Sequence, residues 1–75
     1  MNIQMNQNYK IESANMSTGE KIVTVWRAMR VNADSVFMVK VLKNGQLAKP
    51  GVGNMMTVPF ATLQQGAELG NFYAA

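Results

Sequence analysis

Short β-rich runs separated by turn residues are the feature that most constrains the fold of this chain. Residues 21–31 (KIVTVWRAMRV) and 35–43 (SVFMVKVLK) are rich in β-branched side chains, and the residues between them, NAD, favour a turn. Asn44-Gly45 follows directly and is typical of a type I′ hairpin turn, which needs positive φ at both central residues. The sequence therefore predicts two long antiparallel strands at the centre of the chain.

The flanking segments predict shorter strands. Residues 1–13 alternate between apolar and polar side chains, interrupted only at Gln7, which is the period of a strand with one buried face. The other strand-like runs are residues 46–49, 55–58 and 68–73. FATLQ, residues 60–64, predicts one helical or 3₁₀ turn ended by Gly66.

The length of 75 residues suffices for one small domain. Frequent turns and short strands predict an all-β fold, a small five- to six-stranded barrel of the OB-like or SH3-like kind, with one short helical turn near residues 60–64. We expect residues 9–75 to form a single small β domain. Residues 1–8 are a candidate N-terminal arm, either disordered or donated as a strand to a neighbouring subunit.

The composition argues against catalysis. The chain has no Cys and no His, so it lacks the thiol nucleophile, the commonest general base, disulfides and Cys or His metal sites. Its four carboxylates are far apart in sequence, and neither a P-loop nor a GxGxxG motif is present. We expect a protein that is not an enzyme and that uses no cofactor and no metal. A domain this small has a thin core, which favours a homo-oligomer.

The apolar runs are only a few residues long, and MNIQMNQN has neither a basic nor an apolar signal region. We therefore expect no membrane segment and a cytoplasmic location, or host cytoplasm or virion if the protein is viral.

Trp26, Arg30 and Lys40 fall on the less regular faces of the two central strands. If these strands pair, an indole and two cations share one surface, and single-strand binders use aromatics to stack bases and cations to neutralise phosphates. Arg27 and Lys43 lie on the apolar parity at strand ends and would widen such a basic groove. These five are the candidate nucleic-acid-binding residues. The alternative interpretation makes Trp26 a core residue and the cations solvated positions or guards of a strand edge.

Two resemblances bear on these predictions. VFMVKVLKNGQLAKPG, within residues 36–66, resembles the strand–turn–strand run of the filamentous-phage single-stranded DNA-binding proteins, and Lys40 matches their strand lysine that faces the nucleic-acid backbone. That resemblance implies an OB-like, dimeric, non-enzymatic protein that coats single strands, although residues 18–22 carry no tyrosine where the family has a basic, aromatic wing. VPFATL, within residues 55–69, is similar to the closing strand and turn of SH3-like barrels.

The leading functional hypothesis is a non-enzymatic, homo-oligomeric small barrel that binds single-stranded nucleic acid. The net charge of +3 permits an anionic partner. The alternative is a self-assembling structural subunit, a component of a viral or phage particle, that uses its N-terminal strand arm.

Overall fold

The computed structural model describes residues 2–49 and 51–75. Six strands and one α-helix in these residues confirm the predicted small all-β fold class. The strands are β1 (Asn8–Ala14), β2 (Lys21–Val31), β3 (Ser35–Lys43), β4 (Gln46–Leu47), β5 (Met55–Pro59) and β6 (Phe72–Ala74). A 3₁₀ turn over Val52–Asn54 precedes β5, and helix α1 spans Phe60–Glu68. Met1 of the predicted arm and Pro50 of the predicted Pro-Gly break lie outside the described residues.

The strands form one antiparallel sheet in the order β4-β3-β2-β1-β6. Strand β5 pairs with residues 35–39 of β3, and β4 pairs with residues 42–43. Because β2 occupies the other edge of β3, β4 and β5 lie one after the other along the same edge. Within the described residues β5 and β6 each pair with a single neighbour, and the sheet is therefore not closed into a barrel. Helix α1 contacts both β5 and β6 and lies where closure would otherwise occur.

Strand β3 ends at a tight turn formed by Asn44 and Gly45. Asn44 (φ 50°) and Gly45 (φ 82°) both have positive φ, as the predicted type I′ turn requires. The Asn44 side chain holds the turn against the sheet, because its Oδ1 accepts a hydrogen bond from the Val23 amide at 2.9 Å.

The helix is longer than the predicted turn over residues 60–64, because Gly66 does not end it. A Cβ at Gly66 would lie 3.3 Å from the Phe72 Cβ, so glycine here lets α1 approach β6 closely. The helix ends instead beside Gly70 (φ 78°), whose amide bonds the Ala67 carbonyl at 3.1 Å.

The core lies between one side of the sheet and helix α1. Two aromatic rings stack within it, Tyr9 on Phe72, with centroids 5.2 Å apart. Its buried members are Ile3, Tyr9, Trp26, Ala28, Val36, Met38, Leu63 and Phe72.

Residues 2–7 pack on their own domain. Ile3 belongs to the core cluster, the Asn6 amide donates to the Ala28 carbonyl at 2.7 Å, and the Ala28 amide donates to the Gln7 carbonyl at 3.0 Å. The Gln4 amide donates to the Tyr9 hydroxyl at 2.9 Å. Burying an isoleucine side chain contributes about 1.5–3 kcal/mol, so this segment stabilises the fold to which it is attached.

Candidate nucleic-acid interface

The two sides of the sheet have different roles, and cross-strand pairing assigns residues to them, since directly opposed residues project to the same side. Ala28 opposes Met38, and both are fully buried against the helix, which defines the core face. Arg27 opposes Val39 on the other side, which we call the outer face. The one α-helix of the described residues packs its buried residue, Leu63, on the core face.

Two β-bulges decide which residues reach which face. Val41 of β3 has no partner in β2, because Val25 pairs with Leu42 and the next residue, Trp26, pairs with Lys40. Met29 of β2 likewise has no partner in β3. The extra residue at Met29 reverses the alternation in β2. Arg30 therefore opposes Phe37 on the outer face, although it has the same parity in sequence as Trp26.

Trp26 is a buried residue, with 8% of its surface exposed. Its Nε1 donates a hydrogen bond to the Thr24 Oγ1 at 2.8 Å, and the Lys40 Nζ lies 5.2 Å from the ring centroid. The indole thus has a polar partner in the protein and a cation over its face. The predicted pairing of Trp26 with Lys40 is present, but Arg30 lies on the opposite face and the three do not form one exposed surface.

The four candidate cations divide into two pairs. Arg27 and Arg30 are exposed on the outer face, where Nε of Arg27 donates to the Asn8 Oδ1 at 3.1 Å. Lys40 opposes Trp26 and Lys43 opposes Thr24, so both lysines project to the core face.

The outer face is arranged in cross-strand rows. The first two rows hold both arginines, with Arg30 beside the half-buried Phe37 and Arg27 beside the half-buried Val39. The third row has Val25 between Lys10 and Leu42, with Tyr73 beyond Lys10. From one end of the face to the other, the rows are Thr57–Phe37–Arg30, Met55–Val39–Arg27–Asn8, Leu47–Leu42–Val25–Lys10–Tyr73, Val23–Glu12 and Lys21–Ala14.

The outer face holds all of the protein's net charge. Four cations (Lys10, Lys21, Arg27 and Arg30) and one carboxylate (Glu12) lie on it, which equals the whole-chain charge of +3. The other three cations and three carboxylates of the sequence cancel. In the part of the chain that the structure describes, the one ion pair joins Lys21 to Glu12 at 2.7 Å, so both arginines and Lys10 are without a carboxylate partner.

Aromatic rings lie at both ends of this charged region. Phe37 is half-buried beside Arg30, and Tyr73 is 40% exposed beside Lys10. The strands that carry these rings are three interstrand steps apart, about 14 Å at about 4.8 Å per step. Arg27 on β2 and Lys10 on β1 lie between them, so two cations separate the two rings diagonally across the sheet.

A hydrogen-bonded cluster fixes the far end of the face. Glu12 accepts hydrogen bonds from Lys21 and from the Tyr73 hydroxyl, and these bonds hold the pKa of the Glu12 carboxyl below its ordinary value. The same contacts with Glu12 raise the pKa of Lys21 and of Tyr73. Glu12 is therefore ionised and engaged within the protein at neutral pH.

The sequence predicts that Trp26, Arg30 and Lys40 share one outward face of β2 and β3, but in the structure Trp26 and Lys40 lie on the core face. The sequence prediction therefore missed Phe37, Lys10 and Tyr73 as surface candidates. The polar alternation of Asn8, Lys10 and Glu12 in β1 already marked their side of that strand as solvent-facing. Only the pairing register, which the sequence does not contain, links that side to Arg27.

Comparison of the chain with protein-family models, curated proteins and solved structures gives no match. Among the described residues, the structure has no helix with the length and apolar character needed to span a membrane.

Proposed function

We propose that this protein binds single-stranded nucleic acid on the outer face of its sheet and is not an enzyme. One observation carries the proposal: Arg27, Arg30 and the half-buried Phe37 lie together on the sheet face that helix α1 leaves uncovered. Neither arginine has a carboxylate partner among the described residues. Arginines neutralise phosphates, and bases stack on aromatic rings at about 1–3 kcal/mol each. The site differs from the predicted one: it keeps Arg27 and Arg30 and leaves Trp26 in the core.

The shape and charge of the face favour a flexible anionic strand over a second copy of the chain. A two-fold contact through this face would bring the patch that holds Lys10, Arg27 and Arg30 against the same cationic patch of the second copy. Like charges brought together repel, whereas a polynucleotide supplies negative charge and flat apolar bases together. Charge complementarity thus supports nucleic acid as the occupant.

The binding test is fluorescence anisotropy of a labelled ten-residue oligothymidylate at several salt concentrations. The double variant Arg27→Gln/Arg30→Gln should bind at least about tenfold more weakly. It should also lose about 1.4 from the slope of log K against log salt, since each phosphate contact to a single strand contributes about 0.7.

The matched control is Lys40→Gln/Lys43→Gln, which removes the same charge from two positions that project to the core face. It should retain most of the affinity. Equal losses in both double variants would show that only overall charge matters, and no binding of the unaltered protein at low salt would end the proposal.

Self-association completes the proposal. The outer edge of β5 pairs with no strand in the described part of the chain, and an open edge is a template for another chain. A homo-oligomer formed at that edge leaves the outer face accessible in every copy. Light scattering should give a mass above the 8.3 kDa of one chain, and a monomer at micromolar concentration would contradict this part.

A further inference from the structure

A pocket of about 460 Å³ opens at the Arg30 end of the outer face, and its walls come from Met29, Arg30, Asn32, Phe37 and Thr57. The β-bulge lies at the same end, where the extra residue Met29 interrupts the ladder between β2 and β3 and forms one wall of the pocket. The turn after β2 adds Asn32, and β5 adds Thr57 from the other side of Phe37.

The pocket combines a flat apolar wall with specific polar groups. Phe37 supplies an aromatic ring and Met29 a thioether, both able to contact the face of a planar base. The Arg30 guanidinium has no hydrogen-bond or ion-pair partner among the described residues, so its donors are available. The Asn32 Nδ2 donates to the Ser35 Oγ at 3.4 Å, which leaves Oδ1 as an acceptor.

These groups match guanine better than the other bases. The arginine fork bonds the adjacent acceptors O6 and N7 of guanine, which is the commonest specific contact between arginine and a base. The neighbouring N1–H and N2–H groups of guanine are donors and suit the Asn32 Oδ1. Adenine has a donor at N6 where guanine has O6, and the pyrimidines have no N7, so each would leave part of the fork unpaired.

We propose that this pocket takes one guanine base of the bound strand, stacked on Phe37, with Arg30 on O6 and N7 and Asn32 on N1–H or N2–H. The inference rests on the proposed function and deepens it. It gives a base preference to a surface that otherwise contacts only phosphates and the flat faces of bases, whatever their identity. On a strand without guanine, such as the oligothymidylate of the binding test, Arg30 contacts a phosphate instead. The other positions of the strand remain interchangeable.

The experiment uses four nine-residue oligothymidylates whose central position is G, A, C or T, with anisotropy as the readout. The unaltered protein should bind the G oligonucleotide at least about fivefold more tightly than the other three. Arg30→Lys retains the charge but removes the fork, so the preference should fall below about twofold while the salt slope on the all-thymine oligonucleotide stays the same. Arg30 is exposed, and a circular dichroism spectrum verifies that the variant folds.

Lys43→Arg is the control, because it adds a guanidinium outside the pocket and should leave the guanine preference as it is. Four equal affinities would overturn the guanine pocket while leaving the proposed function intact. A guanine preference that survives Arg30→Lys would also overturn the assignment, since the base would then be read elsewhere. Absence of binding to all four would instead refute the proposed function itself.

Discussion

The hydrogen bond between Trp26 and Thr24 makes the role of the indole measurable. Both residues are buried, and the Trp26 Nε1 donates to the Thr24 Oγ1 at 2.8 Å. Thr24→Val keeps the side-chain shape but removes the acceptor, and the same hydroxyl also bonds the Ile11 carbonyl at 3.3 Å. Leaving a buried donor without a partner costs about 1–3 kcal/mol. At about 4–8 °C per kcal/mol for a domain of this size, the melting temperature should fall by at least about 4 °C.

Urea unfolding followed by circular dichroism measures the change in the free energy of unfolding. Thr24→Ser, which keeps the hydroxyl, should be more stable than Thr24→Val, and Thr62→Val on the exposed surface of helix α1 should differ little from the unaltered protein. If Thr24→Val matched Thr24→Ser, the indole N–H would not depend on this partner. A strong quench of Trp26 emission by an oligonucleotide would refute the reasoning directly, since bases bound to the outer face do not touch the indole.

Two further predictions concern the turn and the charged cluster. Gly45→Ala should lower the free energy of unfolding by about 1–2 kcal/mol because φ is 82°, whereas Gly53→Ala should be near neutral; a Cβ meets no atom within 4 Å at either site, so equal effects in urea unfolding would exclude backbone conformation as the cause. The pKa of Glu12 is lowered chiefly by the Lys21 bond and then by the Tyr73 bond, so its contribution to stability is present above the ordinary value of 4.5 and is lost as pH falls through the lower folded-state pKa. The stability difference between the unaltered protein and Glu12→Gln should therefore shrink below pH 4.5, and a constant difference down to pH 2 would contradict this.

Local chemistry made the central hairpin predictable. Strands β2 and β3 have the bounds read from the sequence, Lys21–Val31 and Ser35–Lys43, because β-branched runs end at residues that favour turns. The turn at Asn44-Gly45 follows equally from two residues that accept positive φ. The helix bounds were less predictable, since Gly66 reads as a stop until the proximity of Phe72 explains it.

The faces of the strands were not predictable, because alternation holds only along an uninterrupted ladder. A bulge at Met29 moves Arg30 across the sheet, and nothing in the local sequence marks that residue as extra. The choice of core face depends on distant partners as well. Ile3 from the N-terminus and Leu63 and Phe72 from the C-terminal part cover the side that carries Trp26.

The face on which Trp26 lies, together with the bulge at Met29, explains where the candidate cations are placed. Lys40 on the core face extends over the indole, where the ring offsets part of the cost of a cation near apolar surface. The bulge places Arg30 on the outer face beside Arg27. In a regular strand that included Met29, the two arginines would lie on opposite faces, because they are three residues apart. Met29, the extra residue of the bulge, also forms one wall of the pocket beside Phe37. Deleting Met29 removes the extra residue, so Arg30 would follow Ala28 directly and still oppose Phe37 in a regular ladder. The arginine pair and the salt slope should therefore persist, whereas the pocket loses its Met29 wall and the guanine preference should fall.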